Sequence, residues 1–346
     1  HSWVHTYSSL GLVSPRVRVI TTEGDFFSTT ETLIIHEKIR EASFKLVANP
    51  IAISTVRMPD ESNRVFVLRK QDELFLMDVY EVKRNDTYIS KKLYDINLSA
   101  YGIQNPVKIK ASSGENILFI AANNDALGAI YQLNTNQFGN YEIAAVINLD
   151  DEVADFTIQG QRLLISMKNR NTLTQAPLVN GVLNKQKLEV MNVTLANAVP
   201  LREKAGLATD GENILLADNY NQRIVQLSPS LRMLDQFGAR GNGEAEFIWP
   251  GLVRFHQNRL FISDSGRRDI QVFDRNYNPV CTLAYRNEAN YYNYVEPEFF
   301  TDIADFEVIA REEGNRLYYY ALILSRSAGK LSMIRLPQWE ELKVRV

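Results

Sequence analysis

Two stretches of the chain, residues 211–227 and 258–273, share one arrangement of aliphatic and polar residues. Each reads as an aliphatic strand, a short polar turn that opens on Asp218 or Asp264, and a second strand of alternating pattern. Such turns favour Asp, Asn, Ser and Gly, which bond to their own backbone or tolerate a positive φ. A repeated hairpin restricts the fold to repeat architectures, because one hairpin cannot bury its apolar face alone.

Weaker copies of this hairpin occur at four other places. The first residues of the second strands then lie roughly 40 to 60 residues apart, as four short strands and their turns require in one β-propeller blade. These anchors are Leu74, Ile130, Leu173, Ile224, Ile270 and Leu331. Each copy follows a candidate inner strand, beginning near residues 50, 106, 151, 205, 250 and 302. The sequence therefore predicts an all-β, six-bladed propeller formed by residues 1–346 as one domain, and no sustained helical periodicity competes with it.

A propeller must also close, because its first and last blades would otherwise leave open strand edges. Residues 32–39 have a strand pattern but no blade of their own. We predict that residues 32–39, within an N-terminal closing region at 16–48, supply the outer strand of the last blade and close the ring. The tail at residues 342–346 competes for the same position.

The hairpins at 211–227 and 264–273, with the linker at 237–250, carry a family resemblance. That linker combines a glycine-rich turn, a phenylalanine and Pro250 before the next inner strand. The chain here resembles the NHL-repeat family; the likeness is specific over residues 205–275 and rests on spacing elsewhere. The resemblance implies a six-bladed propeller used mostly as a binding platform. It also brings two alternatives, single-stranded RNA binding and the metal-dependent lactonases and lyases related to the family.

Composition narrows the partners and the compartment. The net charge of −3 provides no overall basic field for nucleic acid or a membrane surface. No apolar run reaches the roughly 18 residues of a transmembrane helix. Cys281 is the only cysteine, so no internal disulfide forms. Together with the missing initiator methionine, this leads us to expect a bacterial periplasmic or extracellular protein, with the cytoplasm as the alternative.

One face of the predicted ring collects cationic and aromatic side chains. Strands alternate in direction, so the turns after the second strands and the blade-to-blade linkers open on the same face. The predicted ligand-binding residues there are Arg69, Arg170, Arg267, Arg268, Arg326, Tyr291, Tyr292 and Tyr294. They suit a protein, a glycan or another anionic ligand. The alternative is a solvated rim, with arginines paired to Asp264 and Asp269 and tyrosines covering blade edges.

Two aspartates are the candidate metal ligands of the alternative, enzymatic function. Asp155 and Asp305 occupy matching places in two predicted inner strands, so both are expected at the central channel. Their oxygens could hold Ca²⁺ in a metal-dependent lactonase- or lyase-type hydrolase. A full ligand set is not visible, so we favour a non-enzymatic binding protein without a cofactor.

Overall fold

A computed structural model describes residues 11–13, 16–21, 24–29, 33–35, 42–45, 49–83, 91–112, 116–135, 140–195, 199–284, 302–313 and 316–336. Within these ranges the regular structure is strand, apart from two short 3₁₀ helices at Leu98–Tyr101 and Lys185–Lys187. None of the helices in these ranges is long and apolar enough to cross a membrane.

Five short strands precede the first blade. They are β1 (Gly11–Val13), β2 (Arg16–Thr21), β3 (Gly24–Thr29), β4 (Leu33–Ile35) and β5 (Ala42–Lys45). Strand β1 pairs with β4 and β2 pairs with β3, both antiparallel. Strand β5 instead joins the last blade of the ring.

The next strands form three antiparallel sheets. Blade 1 contains β6 (Pro50–Arg57), β7 (Asn63–Gln71), β8 (Leu74–Val82) and β9 (Lys91–Asn97). Blade 2 contains β10 (Pro106–Ala111), β11 (Ile117–Asn124), β12 (Leu127–Thr135) and β13 (Tyr141–Leu149). Blade 3 contains β14 (Val153–Gln159), β15 (Arg162–Met167), β16 (Thr172–Val179), β17 (Val182–Leu183) and β18 (Glu189–Asn192). Strands β17 and β18 both pair with β16.

Three more sheets complete the ring. Blade 4 contains β19 (Lys204–Thr209), β20 (Ile214–Asp218), β21 (Arg223–Leu227) and β22 (Met233–Phe237). A short parallel pair, β23 (Ala239–Arg240) and β24 (Glu246–Phe247), lies in the following connection. Blade 5 contains β25 (Pro250–His256), β26 (Arg259–Asp264), β27 (Asp269–Phe273) and β28 (Pro279–Ala284). Blade 6 contains β29 (Ile303–Glu313), β30 (Arg316–Ser325), β31 (Lys330–Arg335) and the N-terminal β5.

The core lies between the blades. Successive side chains of a strand point to opposite faces, so β7 buries Phe66 and Leu68 against blade 2 and Val65 and Val67 against blade 6. A cluster of this kind joins each neighbouring pair of blades among the described residues. Burial of one such large apolar side chain contributes about 1.5–3 kcal/mol. Both faces of each sheet are therefore apolar, which explains the nearly continuous aliphatic runs in the second strands.

The inner strands β6, β10, β14, β19, β25 and β29 contact one another in ring order, and β29 returns to β6. The predicted six-bladed β-propeller is confirmed, and an N-terminal strand closes it. The closing segment is Ala42–Lys45, however, and not residues 32–39, since Leu33–Ile35 pairs with Gly11–Val13. The later segment leaves only a short connection to Pro50, as neighbouring strands usually have. Residues 342–346 lie outside the described residues.

Candidate binding surface

One hydrogen bond recurs in all six blades. A backbone N–H near or just after the end of each second strand donates to the carbonyl oxygen of the residue directly before the inner strand of the same blade. The pairs are Lys70–Asn49, Asn123–Asn105, Lys168–Glu152, Asn219–Glu203, Ser265–Trp249 and Arg326–Asp302, at 2.8 to 3.3 Å. We call the side of the ring that holds these turns and the blade-to-blade connections the connection face. The accepting residues therefore surround the channel mouth on that face.

Two of the predicted ligand-binding arginines are buried in ion pairs of their own blade. Arg69 Nε lies 2.7 Å from Asp78 Oδ2. Arg267 Nε lies 2.8 Å from Asp269 Oδ2, and its Nη1 donates to the carbonyl oxygens of Gly243 and Glu246. The Arg267 guanidinium thus joins its turn to the preceding connection, and Arg69 binds only Asp78 and Gln71 of its own blade among the described residues. We assign Arg69 and Arg267 a structural role for this reason, because a ligand could reach them only by breaking a buried pair.

The other predicted arginines are more accessible. Arg170 is partly exposed, and its Nη2 lies 2.8 Å from Asp150 Oδ2. Arg268 and Arg326 are exposed, and neither has an ion pair with another described residue. Arg268 also has a positive φ of 60°. Tyr291, Tyr292 and Tyr294 lie outside the described residues, so their prediction remains untested.

The structure places both predicted metal ligands at the channel and joins them through Arg254. Asp305 accepts hydrogen bonds from Ile53 N at 3.2 Å and Phe306 N at 2.9 Å, and it pairs with Arg254 Nη2. Asp155 accepts from Phe156 N at 2.9 Å and Leu207 N at 3.0 Å. Arg254 Nη1 lies 3.8 Å from Asp155 Oδ2. One guanidinium in blade 5 therefore connects carboxylates of blades 3 and 6.

The charges around Arg254 compensate one another. Glu307 lies 3.4 Å from Arg254 Nε and 3.0 Å from Lys110 Nζ, and Lys108 Nζ lies 3.9 Å from Asp305. Burial raises the pKa of Asp305, but Arg254, Lys108 and Lys110 outweigh it and hold that pKa below its usual range. Burial lowers the pKa of Arg254, and the surrounding carboxylates more than offset this.

These contacts do not fit a Ca²⁺ site at Asp155 and Asp305. The Arg254 guanidinium already lies between the two carboxylates, and backbone N–H groups bind their remaining oxygens. A Ca²⁺ ion needs six to eight oxygen ligands. In the part of the chain that the structure describes, no group of three or more His, Cys, Asp or Glu side chains could hold a metal ion.

An exposed aromatic pair on the connection face was not predicted from the sequence. Tyr220, in the turn of blade 4, is 51% exposed, and Trp249, at the channel mouth before blade 5, is 56% exposed. Asn219 Nδ2 donates to the Pro250 carbonyl oxygen at 3.1 Å, which joins the two segments. The sequence could have indicated this pair, because each residue is a large aromatic within a short polar or glycine-rich connection.

Two exposed arginines lie in the segments next to this pair. The guanidinium carbon of Arg202 lies 5.0 Å from the centroid of the Tyr220 ring, a cation–π distance. Arg268 lies in the turn of blade 5, two residues after Gly266, where an added Cβ would come 3.2 Å from the Trp249 ring. Val199 is also exposed, and its carbonyl oxygen accepts from Arg223. We call Val199, Arg202, Tyr220, Trp249 and Arg268 the aromatic–arginine patch.

Comparison with known proteins supports the fold. No family model matches the chain, and no curated protein matches it either, so the NHL resemblance stays a prediction. Among solved structures, a streptogramin B lyase is 10% identical with a TM-score of 0.51, and the match covers 86% of this chain and 98% of the lyase. Saccharomyces cerevisiae Sqt1 is 8% identical with a TM-score of 0.50, over the same shares of each chain. At such identities the likeness concerns fold alone, and by fold this chain is a six-bladed β-propeller.

Proposed function

We propose that this chain is a non-enzymatic binding propeller that recognises a macromolecular partner on its connection face. The observation that carries the proposal is the exposed pair Tyr220 and Trp249, with Arg202 over the Tyr220 ring and the exposed Arg268 in the turn of blade 5. Trp, Tyr and Arg are the residue types that most often dominate the energy of protein interfaces. Exposure of large aromatic rings to water is unfavourable in free energy, and a bound partner that covered the rings would remove this cost.

Catalysis in the channel is less well supported. A metal-dependent lactonase- or lyase-type hydrolase would need Arg254 to leave the space between Asp155 and Asp305. Breaking that buried pair would leave uncompensated carboxylates, at a cost of about 3–5 kcal/mol. The packing of the channel thus favours a structural role for these side chains.

The proposal can be tested by affinity capture with matched variants. Proteins bound to the immobilised wild-type chain are compared with those bound to a Tyr220→Ala, Trp249→Ala double variant. Leu234→Ala is the control, since Leu234 is equally exposed on the outer strand of blade 4. We expect the double variant to lose the bound proteins and the control to retain them.

The same capture is repeated after nuclease treatment and at raised salt. Loss of all binding after nuclease treatment would point to RNA and would contradict a protein partner. A fall in binding with salt is expected for contacts to Arg202 and Arg268. Equal capture by the wild type and the double variant would overturn the proposed face.

A further inference from the structure

The aromatic–arginine patch is a prearranged surface. In blade 4, Arg202 N donates to Asp218 Oδ1 at 2.9 Å, and Asn221 Nδ2 donates to the Pro200 carbonyl oxygen at 2.9 Å. These bonds hold the incoming connection onto the turn that carries Tyr220. The stacked Arg202 and the exposed Val199 are therefore fixed relative to the tyrosine ring before any ligand binds.

Trp249 is held in the same way in blade 5. Asp264 accepts hydrogen bonds from Ile248 N at 2.7 Å and from Trp249 N at 3.0 Å. Glycine at position 266 allows the indole to lie on the turn, because a Cβ there would also approach Ile248 Cγ2 to 2.4 Å. Fixed backbone and close packing leave less side-chain entropy to lose on binding, which favours affinity.

The polar groups inside the patch are already used. The amides of Asn219 and Asn221 bind backbone carbonyl oxygens, and the carboxylates of Asp218 and Asp264 bind N–H donors of the connections and turns. What remains for a partner is the apolar surface of Val199, Tyr220 and Trp249, the hydroxyl and indole N–H groups of the two rings, and the guanidinium groups of Arg202 and Arg268. A glycan needs acceptors as well as donors for its hydroxyl groups, and the turns already use the carboxylates of Asp218 and Asp264.

The charge distribution disfavours a nucleic acid. Glu203 and Glu244 are exposed in the same two connections, so the patch is not a continuous basic field. Nucleic-acid binding depends on neutralising several phosphates in succession, and the chain is acidic overall. Two arginines beside apolar rings instead match a few carboxylates beside aromatic or aliphatic side chains.

We propose that the aromatic–arginine patch binds an acidic polypeptide segment that carries aromatic side chains. This inference rests on the proposed function, because it names the partner chemistry for the same face. Carboxylates of the segment would bind Arg268 and Arg202, and its aromatic side chains would cover Trp249 and Val199.

Tryptophan fluorescence provides a direct readout. The chain has three tryptophans, and Trp3→Phe with Trp339→Phe leaves Trp249 as the only tryptophan, whose emission is excited selectively at wavelengths that tyrosine does not absorb. A glutamate–tyrosine copolymer is titrated as the probe, and we expect a saturable shift of the Trp249 emission. Arg202→Ala and Arg268→Asn should each weaken binding by about tenfold, as loss of one charge-assisted hydrogen bond predicts. Asn is chosen because it tolerates the positive φ of Arg268.

Two controls and an alternative readout accompany this titration. Arg275→Ala, in an exposed turn of blade 5 on the opposite face, should leave the affinity unchanged. A lysine–tyrosine copolymer should not bind at the patch. If the double Trp variant unfolds at lower temperature, calorimetric titration of the wild-type chain with the same copolymers replaces fluorescence.

The outcomes separate the two proposals. No binding of the glutamate–tyrosine copolymer, or stronger binding of polygalacturonate or poly-uridylate at Trp249, would overturn the polypeptide partner while keeping the face. Copolymer binding that ignores Arg202 and Arg268 but is lost in Arg275→Ala would overturn both the partner and the face.

Discussion

Asn219 Nδ2 donates a hydrogen bond of 3.1 Å to the carbonyl oxygen of Pro250, and this bond connects the turn of blade 4 to the inner strand of blade 5. Tyr220 directly follows Asn219, and Trp249 directly precedes Pro250. The bond therefore fixes the relative position of the two exposed aromatics. A partner that covers both rings depends on an amide that it does not touch.

This relationship predicts the effect of Asn219→Ala. The variant should lose about 1 kcal/mol of unfolding free energy, typical for one hydrogen bond, and should bind the partner several-fold more weakly. Denaturant unfolding and a binding titration measure the two effects. Asn276→Ala, in an exposed turn on the opposite face, is the control and should change neither. Unchanged binding by Asn219→Ala would show that the aromatic pair does not act as a unit.

The Arg254 bridge predicts a strong and pH-dependent loss of stability. Arg254→Met leaves Asp155 and Asp305 buried without their main cation, so the unfolding free energy at neutral pH should fall by about 3–5 kcal/mol. In the wild type, Asp305 has a depressed pKa, so its contribution is present above the unfolded value near 4 and is lost as the pH falls.

In Arg254→Met the pKa of Asp305 should rise, because burial then outweighs the remaining cations. Protonation relieves the uncompensated charge, so the difference in unfolding free energy between wild type and variant should shrink from pH 7 to pH 4. Urea titrations at several pH values measure this difference. If the difference in unfolding free energy stays constant with pH, the variant has lost packing and not charge compensation.

His256, two residues after Arg254 in the same inner strand, predicts a second pH effect. Burial lowers the pKa of its imidazole, and Glu307 only partly opposes this; its Nε2 has no hydrogen-bond partner among the described residues. The unfolded chain then takes up the proton more readily, so stability is full above about pH 6.5 and declines below it. His256→Leu should flatten the loss between pH 7 and pH 5. An unchanged slope would assign that loss to other groups.

Ring closure by β5 predicts a sharp boundary for truncation. Removing residues 1–45 deletes the strand that pairs with Lys330–Arg335 and exposes an open edge. We expect the Tm to fall by roughly 5 °C or more. Removing residues 1–40 keeps Ala42–Lys45 and should change the Tm little. Similar Tm values for the two truncations would mean that β5 does not latch the ring.

The fold could be predicted because its determinants are local. Each repeat shows alternating or fully apolar strands joined by a polar turn, as at Asp218 and Asp264. The number of repeats then predicts a ring of six blades. The closing segment was misplaced by several residues, since several N-terminal stretches have strand character and only the pairing with β31 selects Ala42–Lys45.

The binding surface was harder to predict because its contacts are distant in sequence. Arg267 was predicted to contact a ligand, with pairing to Asp269 as the alternative. The structure shows that pair, and two further partners of Arg267 are the carbonyl oxygens of Gly243 and Glu246. Conversely, Trp249 was assigned to the linker at residues 237–250 and was not predicted to contact a ligand. Its exposure follows from Asp264 and Gly266, which hold the backbone and the indole on the surface of the turn.

Site-specific photo-cross-linking shows whether the partner contacts the connection face at blades 4 and 5. A photoreactive phenylalanine analogue is placed at Tyr220 in one sample and at Val179 in another. Val179 is 55% exposed and is the last residue of β16, next to the turn that leads to β17 on the opposite face. We expect covalent adducts with the captured partner from position 220 and none from position 179. Adducts from position 179 alone would contradict the proposed face.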